Sequence, residues 1–299
     1  MVLSSIRQSP FFNHVCAKGR TSSMYSGSTL RPMKHIDAWL GAHQKIDRLA
    51  YAHLKELVGQ AELEAFPRRK QILQFEGRDG PDGVKTKTPA QDEPRHYYDP
   101  FDPEDTKILS ILQGHYDSLV EAIKEANKTR AGFEAAWLAH ALVDGLTPAH
   151  HYPYEEELMR LRGGQGLETR TTPKEKLIMK GDTVSEKLLH NWQMWGDKGL
   201  LATHIAFEVG VAVLILPMRK KRVQIAEADV GDVLAAGYEA CFKKAAHEIA
   251  TQAYYDKFYQ TGWTPKLAGA VRRELVPQII KTVTLVWLHA LRTATAVQK

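Results

Sequence analysis

Apolar residues recur along this chain at three-to-four spacing, the period of helices that bury one face. From Asp37 to about Ala65 the apolar positions are Ile36, Trp39, Leu40, Ile46, Ala50 and Leu54, and Pro67 follows. Asp102-Pro103-Glu104-Asp105 reads as a helix start, with an N-cap, a proline at the first helical position and acids in the first turn. That helix runs to about Lys128. The next spans about Gly132 to Gly145 and is stopped by Pro148. A long apolar helix covers about Leu200–Leu216. Two more close the chain, over about 229–259 and 265–296, the last with a kink expected at Pro277. No alternating run demands a sheet, so the pattern predicts an all-α, multi-helix bundle.

Between these helices lie two irregular stretches. Residues 77–101 hold five Gly or Pro between Gly77 and Pro89, then Pro94 and Pro100, and read as a long loop of the kind that often carries function. Residues 151–198 read as an insertion, broken at Gly163-Gly164-Gln165-Gly166. Short helices are expected to start at Thr172-Pro173 and Asp182-Thr183.

The bulk numbers add little until charge is mapped. The net charge is +5, and residues 1–34 alone carry five Lys and Arg with no acid, so residues 35–299 balance to zero. A nucleic-acid reading drawn from total basicity is therefore weakened. The segment 1–34 has no sustained apolar run and reads as a disordered leader, with a transit peptide as the alternative. With no secretory signal the expected location is cytoplasmic. Two cysteines, Cys16 and Cys241, make no metal motif, so any metal site must use His and carboxylates. The apolar stretch Gly199 to Pro217 contains His204 and Glu208, which favours a core helix carrying ligands over a membrane span.

Candidate chemistry lies in two places. His140 and Asp144 are four apart on one helix and project from one face; Pro148 then turns the chain so that His150 can fold back. His204 and Glu208 repeat the spacing on the apolar helix. Buried, such a pair needs a partner. A metal ion is one, and a salt bridge or hydrogen-bond network is another. Zinc favours His nitrogen and carboxylate oxygen.

The order His140-x3-Asp144-x3-Pro148-x-His150 resembles the central signature of the zinc-dependent phospholipase C family, whose superfamily includes fungal single-strand nucleases. His204-x3-Glu208 resembles its later pair. The resemblance covers roughly residues 35–150 and 200–215 and implies an all-helical domain with clustered zinc ions at the bottom of a cleft. It also implies further ligands. His43 resembles the family's early His, Asp82 in Gly80-Pro81-Asp82-Gly83 its ligand and base, and His96 in His96-Tyr97-Tyr98-Asp99-Pro100 its next His. Two departures stand out. The family's N-terminal Trp ligand has no counterpart, since Trp39 is internal, which leaves two or three zinc ions, with His35 as a substitute ligand. The gap from His150 to His204 is long, and it introduces His151 and His190 as rival ligands.

The expected activity is zinc-dependent phosphodiester hydrolysis, on a phospholipid or another phosphodiester. A single-strand nuclease, with nucleic acid as substrate, and a non-catalytic metal-binding scaffold are the alternatives. His115 competes weakly with His96; His247 and His289 read as satisfied residues, and Cys241 as a small buried hydrophobe. Arg219–Arg222 reads as a solvated helix end or an anionic-lipid contact. Trp192, Met194 and Trp195 read as packed, with peripheral membrane contact as the alternative.

Overall fold

A computed structural model describes residues 41–77, 80–85, 87–93 and 96–296, with the side chain of Pro173 excepted. The expectations placed on the leader, His35, Trp39 and Cys16 lie outside these residues. Every regular element described is helical: α1 (Ala42–Leu57), α2 (Gln60–Ala65), α3 (Arg69–Leu73), α4 (Pro81–Lys85), α5 (Lys107–Lys124), α6 (Lys128–Gly145), α7 (Tyr154–Leu161), α8 (Pro173–Leu177), α9 (Val184–Trp195), α10 (Leu200–Ile215), α11 (Glu227–Ala236), α12 (Tyr238–Thr251), α13 (Tyr254–Thr261), α14 (Pro265–Ala270) and α15 (Val276–Ala296).

Two helices organise the core. α15 keeps Gln278, Lys281, Arg292 and Thr293 on its outer side and buries Val283, Trp287, Leu288 and Leu291 against α1, α5 and α6. Trp287 has a polar edge to satisfy, and its indole N–H donates to the carbonyl of Ala135 at 3.1 Å. α6 brings alanines to its contacts, with Ala131, Ala135, Ala136 and Ala139 fully buried. Gly132 lets α6 approach α3 so closely that a Cβ would lie 2.8 Å from the Gln71 carbonyl oxygen. This small-residue face seats α6, the carrier of His140 and Asp144, in the middle of the molecule.

Several predicted helices are divided. The first breaks at Val58-Gly59 into α1 and α2. The helix expected from Asp102 begins at Lys107 instead. Asp102 and Asp105 accept backbone N–H groups of Glu104 and Asp99 at 2.9 and 3.0 Å, which holds a turn in place of a cap. α6 starts four residues earlier than expected, because Asn127 caps it by accepting from Arg130 N–H at 3.1 Å. The stretch 229–259 forms α11, α12 and α13, separated at Gly237 (φ 88°) and Ala253 (φ 49°). Before Pro277 the last helix is not merely kinked: Val271–Leu275 takes π geometry, as expected where a proline withholds an N–H.

The stretch 151–198, expected to be an insertion, contains α7, α8 and α9. Thr172 and Thr183 cap α8 and α9, each reciprocated by a glutamate three residues on. It packs on a small second cluster of Tyr97, Tyr154, Leu158, Leu161, Met179 and Met194. The Lys176 ammonium reaches the Lys85 carbonyl at 2.8 Å and the Thr88 carbonyl, and pairs with Glu93 at 2.5 Å. The insertion thus clamps the segment that carries Asp82 and Lys85. That segment, 77–101, is not all loop: α4 and a short 3-10 turn at Ala90–Asp92 punctuate it.

Candidate metal centre

Four stretches of chain converge on one place. α1 supplies His43 and the start of α4 supplies Asp82. α6 and the 3-10 turn Pro148–His151 supply His140, Asp144 and His150, and α10 supplies His204 and Glu208. Two donor groups result. His43, His140 and Asp144 form one; His150, His204 and Glu208 form the other; within each the donor atoms lie within 4.8 Å of one another.

In the first group, His43 Nε2 is 3.7 Å from Asp144 Oδ1, and His140 Nε2 is 3.5 Å from Asp144 Oδ2 and 3.7 Å from Asp82 Oδ1. The His43 and His140 rings stack at 3.8 Å, 5° from parallel. In the second group, Glu208 Oε1 is 3.0 Å from His150 Nε2 and 3.3 Å from His204 Nε2. Donors bonded at about 2.0–2.1 Å to one tetrahedral zinc stand about 3.3 Å apart. The separations above scatter around that value. Those of 3.5–3.7 Å are long for hydrogen bonds and of the right order for shared ligation.

Hydrogen bonding fixes which nitrogen faces inward. His150 Nδ1–H donates to the Asp144 carbonyl at 3.0 Å, and His140 Nδ1–H donates to Glu76 Oε2 at 3.3 Å. Each neutral ring therefore aims a lone pair at carboxylate oxygens through Nε2. Two acceptors face each other unless a cation stands between them. A proton can take that role, and burial opposing it is overcome by Asp144, Asp82 and Glu76 around His140, so its pKa lies well above the usual value. His150 is raised in the same way against burial by Asp144 and Glu208. The carboxylates respond inversely. Burial would raise Asp82, but His140 and His43 hold it below its usual range, and His204 and His150 do the same for Glu208. A divalent cation meets the same demand at each Nε2 without protonating the rings, so the donor set fits zinc.

Asp144 touches the backs of both groups: its Oδ1 lies 3.7 Å from His43 Nε2 in the first and 3.7 Å from His150 Nδ1, the nitrogen turned away from Glu208, in the second. Asp82 is 43 % exposed at the mouth, whereas His140 and His150 are buried. His96 joins neither group. Lys85 donates to its Nε2 at 3.1 Å, so an ammonium stands where the resemblance implies a metal bond. Its ring nonetheless lies 5.1 Å from that of His150, and Tyr97 stacks on Tyr154 beside it.

Two buried acids were not read from the sequence. Glu76 orients His140, and Asp47, 1 % exposed, has no hydrogen-bond partner for either carboxylate oxygen among the described residues. Burial, and then the charge of Glu76, push the Asp47 carboxyl well above its usual range. Asp47 lies four residues after His43 on α1, a spacing visible in the sequence; Glu76 sits in an irregular turn and gives no such signal.

The rival histidines are engaged elsewhere. His151 donates through Nε2 to the Gly145 carbonyl at 2.9 Å, and burial lowers its pKa to about 4. His190 donates to the Lys180 carbonyl, His115 pairs with Glu134 at 2.8 Å, and His289 meets the Tyr116 hydroxyl at 2.6 Å. His247 packs against Phe101. Cys241 is half-buried, and burial raises its thiol to about 11. Neither a family model, a curated protein nor a solved structure matches this chain.

Proposed function

We propose that this chain is a zinc-dependent phosphodiester hydrolase of the phospholipase C type. The observation that carries the reading is the pair of His-carboxylate groups, one around Asp144 and one around Glu208, with donor separations suited to tetrahedral ions. His43, His140 and Asp144 would hold one ion; His150, His204 and Glu208 would hold another. Bound zinc would supply Lewis-acid charge to the phosphoryl group and lower the pKa of water at the site.

The chain's own residues divide the remaining work. Asp82 is ionised and partly exposed beside His140, so it would accept a hydrogen bond from the attacking water and orient it. Lys85, one turn further along α4, would place an ammonium against a phosphoryl oxygen. Glu76 would hold His140 in the tautomer that presents Nε2. The place of His96 is taken by its contact with Lys85, which favours two ions over three.

Elemental analysis of purified protein tests this directly, with about two zinc ions expected per chain. His140→Ala should lose metal, whereas Asp82→Asn should keep it and lose turnover on a generic phosphodiester. Parent-like turnover in both variants would end the proposal.

A further inference from the structure

A helix of little more than one turn does not hold its own shape. α4 has five residues, and fixing so short a helix in water is unfavourable. Its last carbonyls also lack partners within the helix. Yet α4 carries both Asp82 and Lys85, three residues apart, so whatever fixes its C-terminal end sets the two together.

Only part of that hold is local. The Val84 carbonyl accepts from the N–H groups of Lys87 and Thr88 at 2.8 and 3.1 Å. The Lys85 and Thr88 carbonyls meet the ammonium of Lys176 instead, 91 and 88 residues further along the chain, the first at 2.8 Å. The same ammonium pairs with the Glu93 carboxylate at 2.5 Å. An ammonium has three donors and no acceptor. All three of these contacts go to residues 85–93, and both partners of the ion pair are only 14 % exposed. Lys174 and Lys180 nearby are open to solvent, so the inward turn of Lys176 is not shared by the basic run around it.

The anchor is itself held in place. Ala90 N–H donates to the Arg170 carbonyl at 2.9 Å, and the buried Arg170 guanidinium pairs with Glu155 on α7 at 2.5 Å. Tyr154, at the start of α7, stacks on Tyr97 at 5.3 Å, 5° from parallel. The Trp195 indole N–H on α9 donates to the Leu177 carbonyl at the end of α8 at 2.7 Å. Lys176 thus reaches the Lys85 backbone from a braced helix, while the Lys85 ammonium itself meets His96 Nε2 at 3.1 Å.

We propose that Lys176 is a positioning residue for Lys85: by holding the end of α4 from outside, it sets the Lys85 ammonium, and Asp82 one turn before it, beside the candidate metal centre. The stretch 151–198 then shapes the site without giving it a ligand. That Lys85 meets a phosphoryl oxygen rests on the phosphodiesterase reading; the hold of Lys176 on the backbone does not.

The test is a double-mutant cycle on the full chain with zinc present, read as affinity for inorganic phosphate by calorimetry, beside zinc content and turnover of a generic phosphodiester. Lys176→Met should keep the parent's zinc content and weaken phosphate binding by roughly tenfold or more. Lys85→Met/Lys176→Met should bind phosphate no more weakly than Lys85→Met alone, because phosphate feels Lys176 only through Lys85. Hydrogen exchange at the Thr88 and Ala90 amides should quicken in Lys176→Met, while the amides of α15 exchange as in the parent. Lys180→Met, which removes an exposed ammonium paired with Glu175, should match the parent throughout. Parental phosphate affinity in Lys176→Met, losses that add in the double variant, loss of zinc along with phosphate, or a parent that binds no phosphate would each overturn the proposal. A non-additive cycle in a protein that turns over no phosphodiester upholds the role of Lys176 and overturns the catalytic reading instead.

Discussion

The Nδ1 of His140 lies 3.3 Å from Oε2 of Glu76, a carboxylate that is 1 % exposed and comes from a turn 64 residues upstream. Behind it sits Asp47 on α1, whose carboxyl burial and the charge of Glu76 push well up. A carboxylate on the far nitrogen fixes the ring and raises its basicity as a ligand. Glu76→Gln is therefore expected to weaken zinc binding by roughly 10–100-fold while leaving the helical content intact. Competition with a chromogenic chelator, beside circular dichroism, measures both. Unchanged affinity would mean that His140 needs no orienting partner.

Lys85 offers a separate test, because it contacts a histidine and not a carboxylate. Removing its charge by Lys85→Met should leave zinc content unchanged and lower kcat/KM on a phosphodiester by roughly 10²-fold. Inhibition by inorganic phosphate should weaken in parallel. A lysine that merely packs would leave phosphate inhibition as it was.

Much of this site was legible because its spacing is local. The i, i+4 pairs His140–Asp144 and His204–Glu208 need only a helix to share a face, and both helices form. His43, Asp82 and His96 came from a resemblance, and the structure brings the first two to the donor groups while giving His96 to Lys85. Glu76 was invisible: its burial comes from α1 and α6 closing over an irregular turn, and no period announces that. The expectation that Trp192 packs inward failed for a related reason. Periodicity finds the apolar stripe of α9 but cannot say which way the tertiary structure turns it. Breaks at Gly59, Gly237 and Ala253 escaped because the apolar period runs across them.

Removing metal should destabilise the protein without unfolding it. His140 and His150 can then take protons and pair with Asp82, Asp144 and Glu208, so the donor groups remain compensated. With zinc about 100-fold above its dissociation constant, each ion adds about 2.7 kcal/mol, equivalent to roughly 5–10 °C in Tm for a domain of this size. Thermal melts with and without EDTA, read by circular dichroism, check this. A chelated protein with the parent's Tm would indicate that no ion was bound.

Away from the candidate metal centre, His289 should make stability depend on pH. Burial lowers its pKa below 6.5, and its Nδ1 takes the Tyr116 hydroxyl at 2.6 Å, which suits a neutral ring. The unfolded chain binds the proton more readily than the fold does. The contribution is constant above about pH 6.5 and is lost as pH falls through that value towards the folded-state pKa. The ring is partly exposed, so the effect is small. His289→Gln should shrink the drop in urea midpoint between about pH 7.5 and pH 5.5 relative to the parent. An identical drop in both proteins would place the titration elsewhere.

Gly210 decides how α10 presents His204 and Glu208. A Cβ there would lie 2.1 Å from Nε1 of Trp263, whose indole N–H donates to the Ala206 carbonyl at 3.2 Å and whose ring stacks on Phe207 at 5.4 Å. Gly210→Ala must therefore displace either Trp263 or the helix, at an overpacking cost of about 1–3 kcal/mol. Where the helix gives way, Glu208 moves relative to His150, while His43, His140 and Asp144 are not touched directly. The expected result is a protein that binds one zinc ion with parental affinity and the other more weakly, seen as two separated steps in a chelator titration. A uniform loss of both ions, or of neither, would show that the two donor groups are not positioned independently.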